Sequence, residues 1–122
     1  MQPVSIGIIG FGRIGAEHAG WIAASPALRV AKVADATPAR REMAAERGLS
    51  AVQSSEELLR DESIDAVLIA TPTAMHFDLA MAALAAGKHL IIEKPMTLDL
   101  PQAQKVVAEA EKRKKIVSVF HN

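Results

Sequence analysis

Apolar and polar positions along this chain switch repeatedly between a strand-like and a helix-like spacing. "VSIGII" (4–9) is a short apolar run suited to a buried strand, and "RIGAEHAGWIAA" (13–24) behind it is an alanine-rich helical stretch. "LRVAKVAD" (28–35) alternates residue by residue and stops at Asp35. "PARREMAAERG" (38–48) predicts a helix with Thr37 at its N-cap, Pro38 at its first position and Gly48 just past its end. A short strand is expected near Ala51–Val52, and Ser54 with Glu57 has the capping-box spacing for a helix over 55–61. "DAVLIA" (65–70) is a continuous apolar run, as in a strand covered on both faces. "AMHFDLAMAALAAG" (74–87) predicts a helix capped by Thr73 and stopped by Gly87, and "HLIIE" (89–93) the next strand. Asp99 with Gln102 caps a helix reaching about Lys115, whose basic end "KRKK" suits the helix dipole. "IVSVF" (116–120) is the last strand.

Strands alternating with helices imply a parallel sheet with helices on both faces, because crossovers between parallel strands are right-handed. The pattern therefore predicts a doubly wound α/β domain with six strands and five helices. A chain of 122 residues is long enough for one such domain with a single real core. Acids and bases balance at 14 each, so no net field recruits nucleic acid or an anionic membrane. No apolar run is long enough to span a bilayer, and "MQPVSIGIIG" reads as a first strand and not as a secretory leader. The absence of cysteine excludes disulfides and thiolate chemistry and fits a cytoplasmic setting. Phe11, Trp21, Phe77 and Phe120 are too few to build stacking platforms for bases, and the methionines are scattered as core fillers.

Candidate chemistry gathers at the predicted strand ends. Gly10, Gly12 and Gly15 have the G-x-G-x-x-G spacing, between a predicted strand and a predicted helix. In that context Gly10 allows a tight turn, Gly12 lets backbone approach a pyrophosphate, and Gly15 lets helix and strand pack closely. Phe11, Arg13 and Ile14 complete the turn, and the helix N-terminus offers unpaired N–H groups to phosphate. Asp35, twenty residues after Gly15, stands where an acid accepts hydrogen bonds from the adenosine ribose. The alternative, a glycine-rich turn with a strand-terminal Asp capping a helix, accounts for less of this pattern. Asp35 favours NAD over NADP because its charge repels a 2′-phosphate; Arg40 and Arg41 nearby are the residues that would accommodate one.

Ligands of doubly wound sheets sit beyond the carboxyl ends of the strands, here the glycine turn, Asp35, "ATPT" (70–73), "EKP" (93–95) and "HN" (121–122). Ala70 and Thr71 are small enough for a cofactor to lie across them, and Pro72 stiffens the turn. Lys94 has two readings, an ammonium that holds a substrate oxygen or half of a structural ion pair with Glu93. His76 faces the crevice or packs against the sheet, the second being favoured, while His18 and His89 read as surface or packing residues. No His, Asp or Glu cluster has metal-ligand spacing, so no metal is expected.

Taken together, "GIIGFGRIG…H", "VAD", "ATPTAMHFDLAMAALAAGKHLIIEKPMTLD" and the terminal "VFHN" closely resemble the Gfo/Idh/MocA oxidoreductases, which include glucose–fructose oxidoreductase and inositol dehydrogenase. The resemblance runs over essentially the whole chain. It implies a Rossmann domain with strand order 3-2-1-4-5-6 over residues 1–120, binding NAD or NADP. It also implies that Lys94 touches substrate and nicotinamide, that a cis peptide precedes Pro95, and that Asn122 lies at the cofactor site. Residues 121–122 are then a stub leading to an absent second domain, which carries most of a sugar or polyol pocket and a histidine acid–base. Members of this kind are homo-oligomeric hydride-transfer enzymes. A non-catalytic NAD(P)-responsive module and a structural domain with a vestigial glycine turn are the rival readings.

Overall fold

The central strands have no polar face, and that decides the architecture. β4 (Ala66–Ile69) is buried along its whole length, and β1 (Val4–Ile9) from Ser5 onward. Such strands need cover on both sides. In the computed structural model of the chain, which describes residues 2–120, five helices provide it. They are α1 (Arg13–Ala23), α2 (Pro38–Glu46), α3 (Ser55–Leu59), α4 (His76–Ala85) and α5 (Leu100–Arg113). With β2 (Leu28–Ala34), β3 (Ala51–Val52), β5 (His89–Glu93) and β6 (Val117–Phe120), the strands form one parallel sheet. Its order is β3-β2-β1-β4-β5-β6, as the resemblance implies.

Alternation along each strand sends neighbouring side chains to opposite layers. Ile6 and Ile8 of β1 pack with Ala66 and Leu68 of β4 and with Ala19, Ile22 and Ala44 of α1 and α2. Ile9, Val67 and Ile69 point the other way, into Leu58, Leu84 and Val106 of α3, α4 and α5. Each fully buried Leu or Ile contributes about 1.5–3 kcal/mol, and these two layers hold the six strand ends in register.

Element ends differ from expectation by a residue or two, for identifiable reasons. The helix expected over 38–48 ends at Glu46, with Gly48 adopting φ +78° beyond it. Thr37 occupies its N-cap position without a side-chain bond; the Arg40 and Arg41 N–H groups both go to its carbonyl oxygen (3.1 Å), and its own N–H donates to Asp35 Oδ1. The helix expected over 74–87 opens as a 3₁₀ turn, Thr73–Met75, and Thr73 makes no side-chain cap; α-helix begins only at His76. Ser54 and Asp99 do cap as expected, accepting from the N–H groups of Glu57 (3.2 Å) and Gln102 (3.0 Å). The last helix ends at Arg113, with Lys114 in the left-handed region at φ 59°. Among the described residues no helix is long and apolar enough to cross a membrane.

Candidate functional site

Strand order reverses between β1 and β4, and a crevice of about 600 Å³ opens there beyond the carboxyl ends of the strands. Its floor is the glycine turn. Gly10 has φ +96°, and a Cβ on it would lie 2.7 Å from the Ala70 carbonyl oxygen, so the turn and the end of β4 touch only because that atom is missing. A Cβ on Gly15 would come within 2.0 Å of the Gly10 oxygen, so Gly15 lets α1 sit on the turn. Gly12 is different. Its Cβ would meet nothing nearer than the Arg40 guanidinium at 3.6 Å, leaving the space above the N-cap of α1 open.

That open space is where α1 has unused donors. Its first helical bond runs from Ala16 N–H to the Gly12 oxygen (3.0 Å), and no side chain caps the helix. The N–H groups of Arg13, Ile14 and Gly15 therefore have no partner among the described residues, at the positive end of the helix dipole. Open space over these N–H groups fits the pyrophosphate of a dinucleotide.

Asp35 stands on the far side of the crevice with its side chain almost buried. Its Oδ2 accepts from Phe11 N–H (2.7 Å) and its Oδ1 from Thr37 N–H (2.8 Å), which ties the glycine turn to the start of α2. Each oxygen keeps a further lone pair for a ligand hydroxyl. The two arginines separate in role. Arg41 donates to the Asp35 carbonyl oxygen (2.9 Å), whereas Arg40 lines the crevice with its guanidinium 3.7 Å from the Asp35 carboxylate.

Of the residues expected at the site, Gly10, Gly12, Arg13, Ile14, Asp35, Arg40, Ala70, Thr71 and Pro72 line this crevice. Phe11 and Gly15 do not, since the Phe11 ring is fully buried in the core and Gly15 lies beneath the turn. His76 is 1% exposed, with Nε2 2.9 Å from the Thr71 oxygen and Nδ1 3.0 Å from the Pro95 oxygen. It joins the two loops behind the crevice wall, which is the packing alternative in a specific form. The Lys94–Pro95 peptide is cis, as the resemblance implies, and Lys94 is exposed beyond β5. Glu93 does not pair with Lys94; its carboxylate is taken by Nε2 of His18. His18 is accordingly a buried partner of a predicted site residue and not a surface group. Asn122 lies outside the described residues, and the described ones contain no cluster able to hold a metal.

Several lining residues were missed. Gln53, Ser54 and Ser55 enter at the end of β3, and Thr37 at the start of α2. The first three were findable, because β3 is a strand end like the others. Met75 and Leu79 form an apolar wall, and Met75 is half exposed there instead of filling the core. Nothing in the local pattern separates a methionine on a crevice rim from one in a core.

Comparison with known proteins gives the family and the fold. A family model described as an oxidoreductase family with an NAD-binding Rossmann fold matches residues 4–121. The chain belongs to the Gfo/Idh/MocA oxidoreductase family. A UDP-N-acetylglucosamine 3-dehydrogenase of Acidithiobacillus ferrooxidans is 40% identical over 122 residues, spanning 99% of this chain and 38% of the relative. An inositol 2-dehydrogenase of Arthrobacter sp. is 36% identical over 114 residues, 91% of this chain and 34% of that one. A 3-ketoreductase from Actinomadura kijaniata, solved in complex with NADP and TDP-benzene, matches with a TM-score of 0.91 at 32% identity, over 97% of this chain and 37% of its own. The chain thus spans a little over a third of the length of these relatives. It is an NAD(P)-binding oxidoreductase domain of the kind found in sugar and inositol dehydrogenases.

Proposed function

We propose that this chain is the NAD(P)-binding half of an enzyme passing hydride between a nicotinamide and a carbinol carbon of a sugar, cyclitol or related polyol. The observation that carries the reading is the crevice itself, with free helix N–H groups above Gly12 facing a held carboxylate at Asp35. The nicotinamide supplies the hydride chemistry when bound. The protein supplies position and charge.

The first turn of α1 would hold the pyrophosphate through its N–H groups, and Asp35 would accept from the ribose hydroxyls. The Asp35 carboxylate disfavours a 2′-phosphate, so NAD is favoured over NADP, with Arg40 the group that would serve the latter. Ala70, Thr71 and Pro72 line the crevice as small or stiff residues over which a bound cofactor would lie. Lys94 steadies the substrate oxygen and the alkoxide charge that develops on it. The substrate pocket and the proton acceptor are assigned to polypeptide beyond these residues, in a cytoplasmic homo-oligomer that binds neither nucleic acid nor membrane.

Calorimetric titration with NADH and, separately, NADPH tests this. NADH should bind, and Asp35→Ala should weaken it by about tenfold or more, since charge-assisted hydrogen bonds are lost. Tighter binding of NADPH would transfer the cofactor preference to Arg40, and no binding of either would overturn the reading. A non-catalytic NAD(P)-responsive domain is favoured by one observation, that Lys94 does not line the crevice. In the complete polypeptide, Lys94→Ala should abolish turnover of an enzyme and leave such a sensor unaffected.

A further inference from the structure

Glu93 ends β5 immediately before Lys94, so whatever holds the Glu93 side chain governs the backbone from which Lys94 departs. The holder is His18, on the second turn of α1. A carboxylate only accepts, so Nε2 of His18 carries the proton and donates to Glu93 Oε1. The two side chains are 5% and 15% exposed. The His18 ring is itself gripped edge-on, by Trp21 at 5.1 Å between centroids and by Phe120 at 4.6 Å. Phe120 is the β6 residue paired with Glu93 in the sheet, and Trp21 stacks on it. With its ring clamped on two sides, His18 is the fixed partner and Glu93 the one that follows.

The consequence falls on Lys94. Glu93 is drawn to the α1 side of the sheet, while Lys94 stands just past the end of β5, exposed, in the bend that leads into Pro95. Lys94 is exposed and has no ion-pair partner among the described residues, so its ammonium remains available. If His18 is removed, a poorly solvated Glu93 carboxylate loses its donor, and the nearest cation in sequence is Lys94 itself.

We propose that His18 and Glu93 are a positioning pair. They lock the end of β5 to the same helix whose N-terminus faces the phosphate cradle, and so hold Lys94 at a constant offset from the bound cofactor. Neither residue lines the crevice, so both act through Lys94. The proposal rests on the reading of Lys94 as the reactive end of the site.

The test uses the chain labelled with 13C in its lysine side chains and titrated with NADH, the Lys94 signal being identified by its loss in Lys94→Arg. In the parent chain the Lys94 signal should move on binding. In His18→Ala and in Glu93→Ala that movement should fall by threefold or more, while the NADH dissociation constant changes by less than about threefold. His18→Gln, which restores a donor, should recover most of the movement; a purely structural role would lower stability in the alanine variants and leave the Lys94 signal alone. Should His18→Ala fail to fold, Glu93→Ala decides, since it leaves the His18 aromatic cluster in place. Equal Lys94 movement in the parent and in the folded alanine variants overturns the pair while the functional reading stands. A parent chain that binds neither NADH nor NADPH overturns the functional reading, and the pair with it.

Discussion

Gly12 and Gly15 belong to one motif, yet the space around them predicts opposite outcomes for the same substitution. In Gly15→Ala the new methyl meets the Gly10 carbonyl oxygen at 2.0 Å, and backbone must move. The expected cost is about 1–3 kcal/mol, measurable by urea denaturation. In Gly12→Ala the nearest atom is 3.6 Å away, so stability should hold within about 0.5 kcal/mol. NADH affinity should nevertheless fall, because the methyl fills the approach that the phosphate needs, and a titration beside the urea curve checks both halves. The glycine spacing was legible in the sequence because each glycine answers a local requirement of turn or approach. His18 was not legible in its role. A histidine on an alanine-rich helix announces nothing until the sheet brings a residue 75 positions later against its ring.

At the scale of elements, local chemistry explains most of what forms and tertiary context explains where it stops. Ser54 and Asp99 cap α3 and α5 because each side chain reaches the N–H three residues on, a relation contained in four consecutive residues. Asp99→Ala should therefore cost about 1 kcal/mol, read as a lower urea midpoint with unchanged slope. Thr37 and Thr73 are N-cap residue types without a Glu or Gln three residues on, and neither makes such a bond. At Thr37 the carbonyl oxygen, and not the side chain, takes the Arg40 and Arg41 N–H groups, while the residue's own N–H goes to Asp35, itself held by the glycine turn. At Thr73 the chain first winds a 3₁₀ turn before His76, whose ring is claimed by the Thr71 and Pro95 carbonyls. Both departures lie at the crevice, where backbone groups are committed to forming its walls.

The whole molecule divides into two ends with separate duties. The carboxyl ends of the strands carry the crevice, and the opposite end carries a polar knot around Asp61. There the Ser63 hydroxyl, then Lys32, then Ser63 N–H hold the Asp61 carboxyl well below its ordinary value of 3.8. Buried Lys88 fastens the same loop by donating to the Asp61 and Ile64 oxygens, both at 2.8 Å. A carboxyl depressed in the folded state adds stability that is fully present above its unfolded value and is lost as the pH falls toward the folded one. Asp61→Asn should therefore melt below the parent at neutral pH, and the gap should narrow as the pH drops below about 4. NADH binding should be indifferent to the change, since Asp61 lies away from the crevice. Melting curves across an acid series, with one titration at neutral pH, would show both.

Much of this protein is determined within short stretches of its sequence. The apolar periods set six strands and five helices, and the glycine spacing set the tight turn between β1 and α1, because each rests on backbone geometry or burial within a few residues. Motif resemblance carried the strand order and the cis peptide before Pro95. Only the tertiary structure decided which arginine faces the crevice, that His76 ties two loops behind its wall, that a methionine lies on its rim, and that Glu93 answers to His18 and not to Lys94. Those outcomes depend on side chains from distant segments meeting across a packed sheet, and no local pattern records which of several equally spaced partners will arrive.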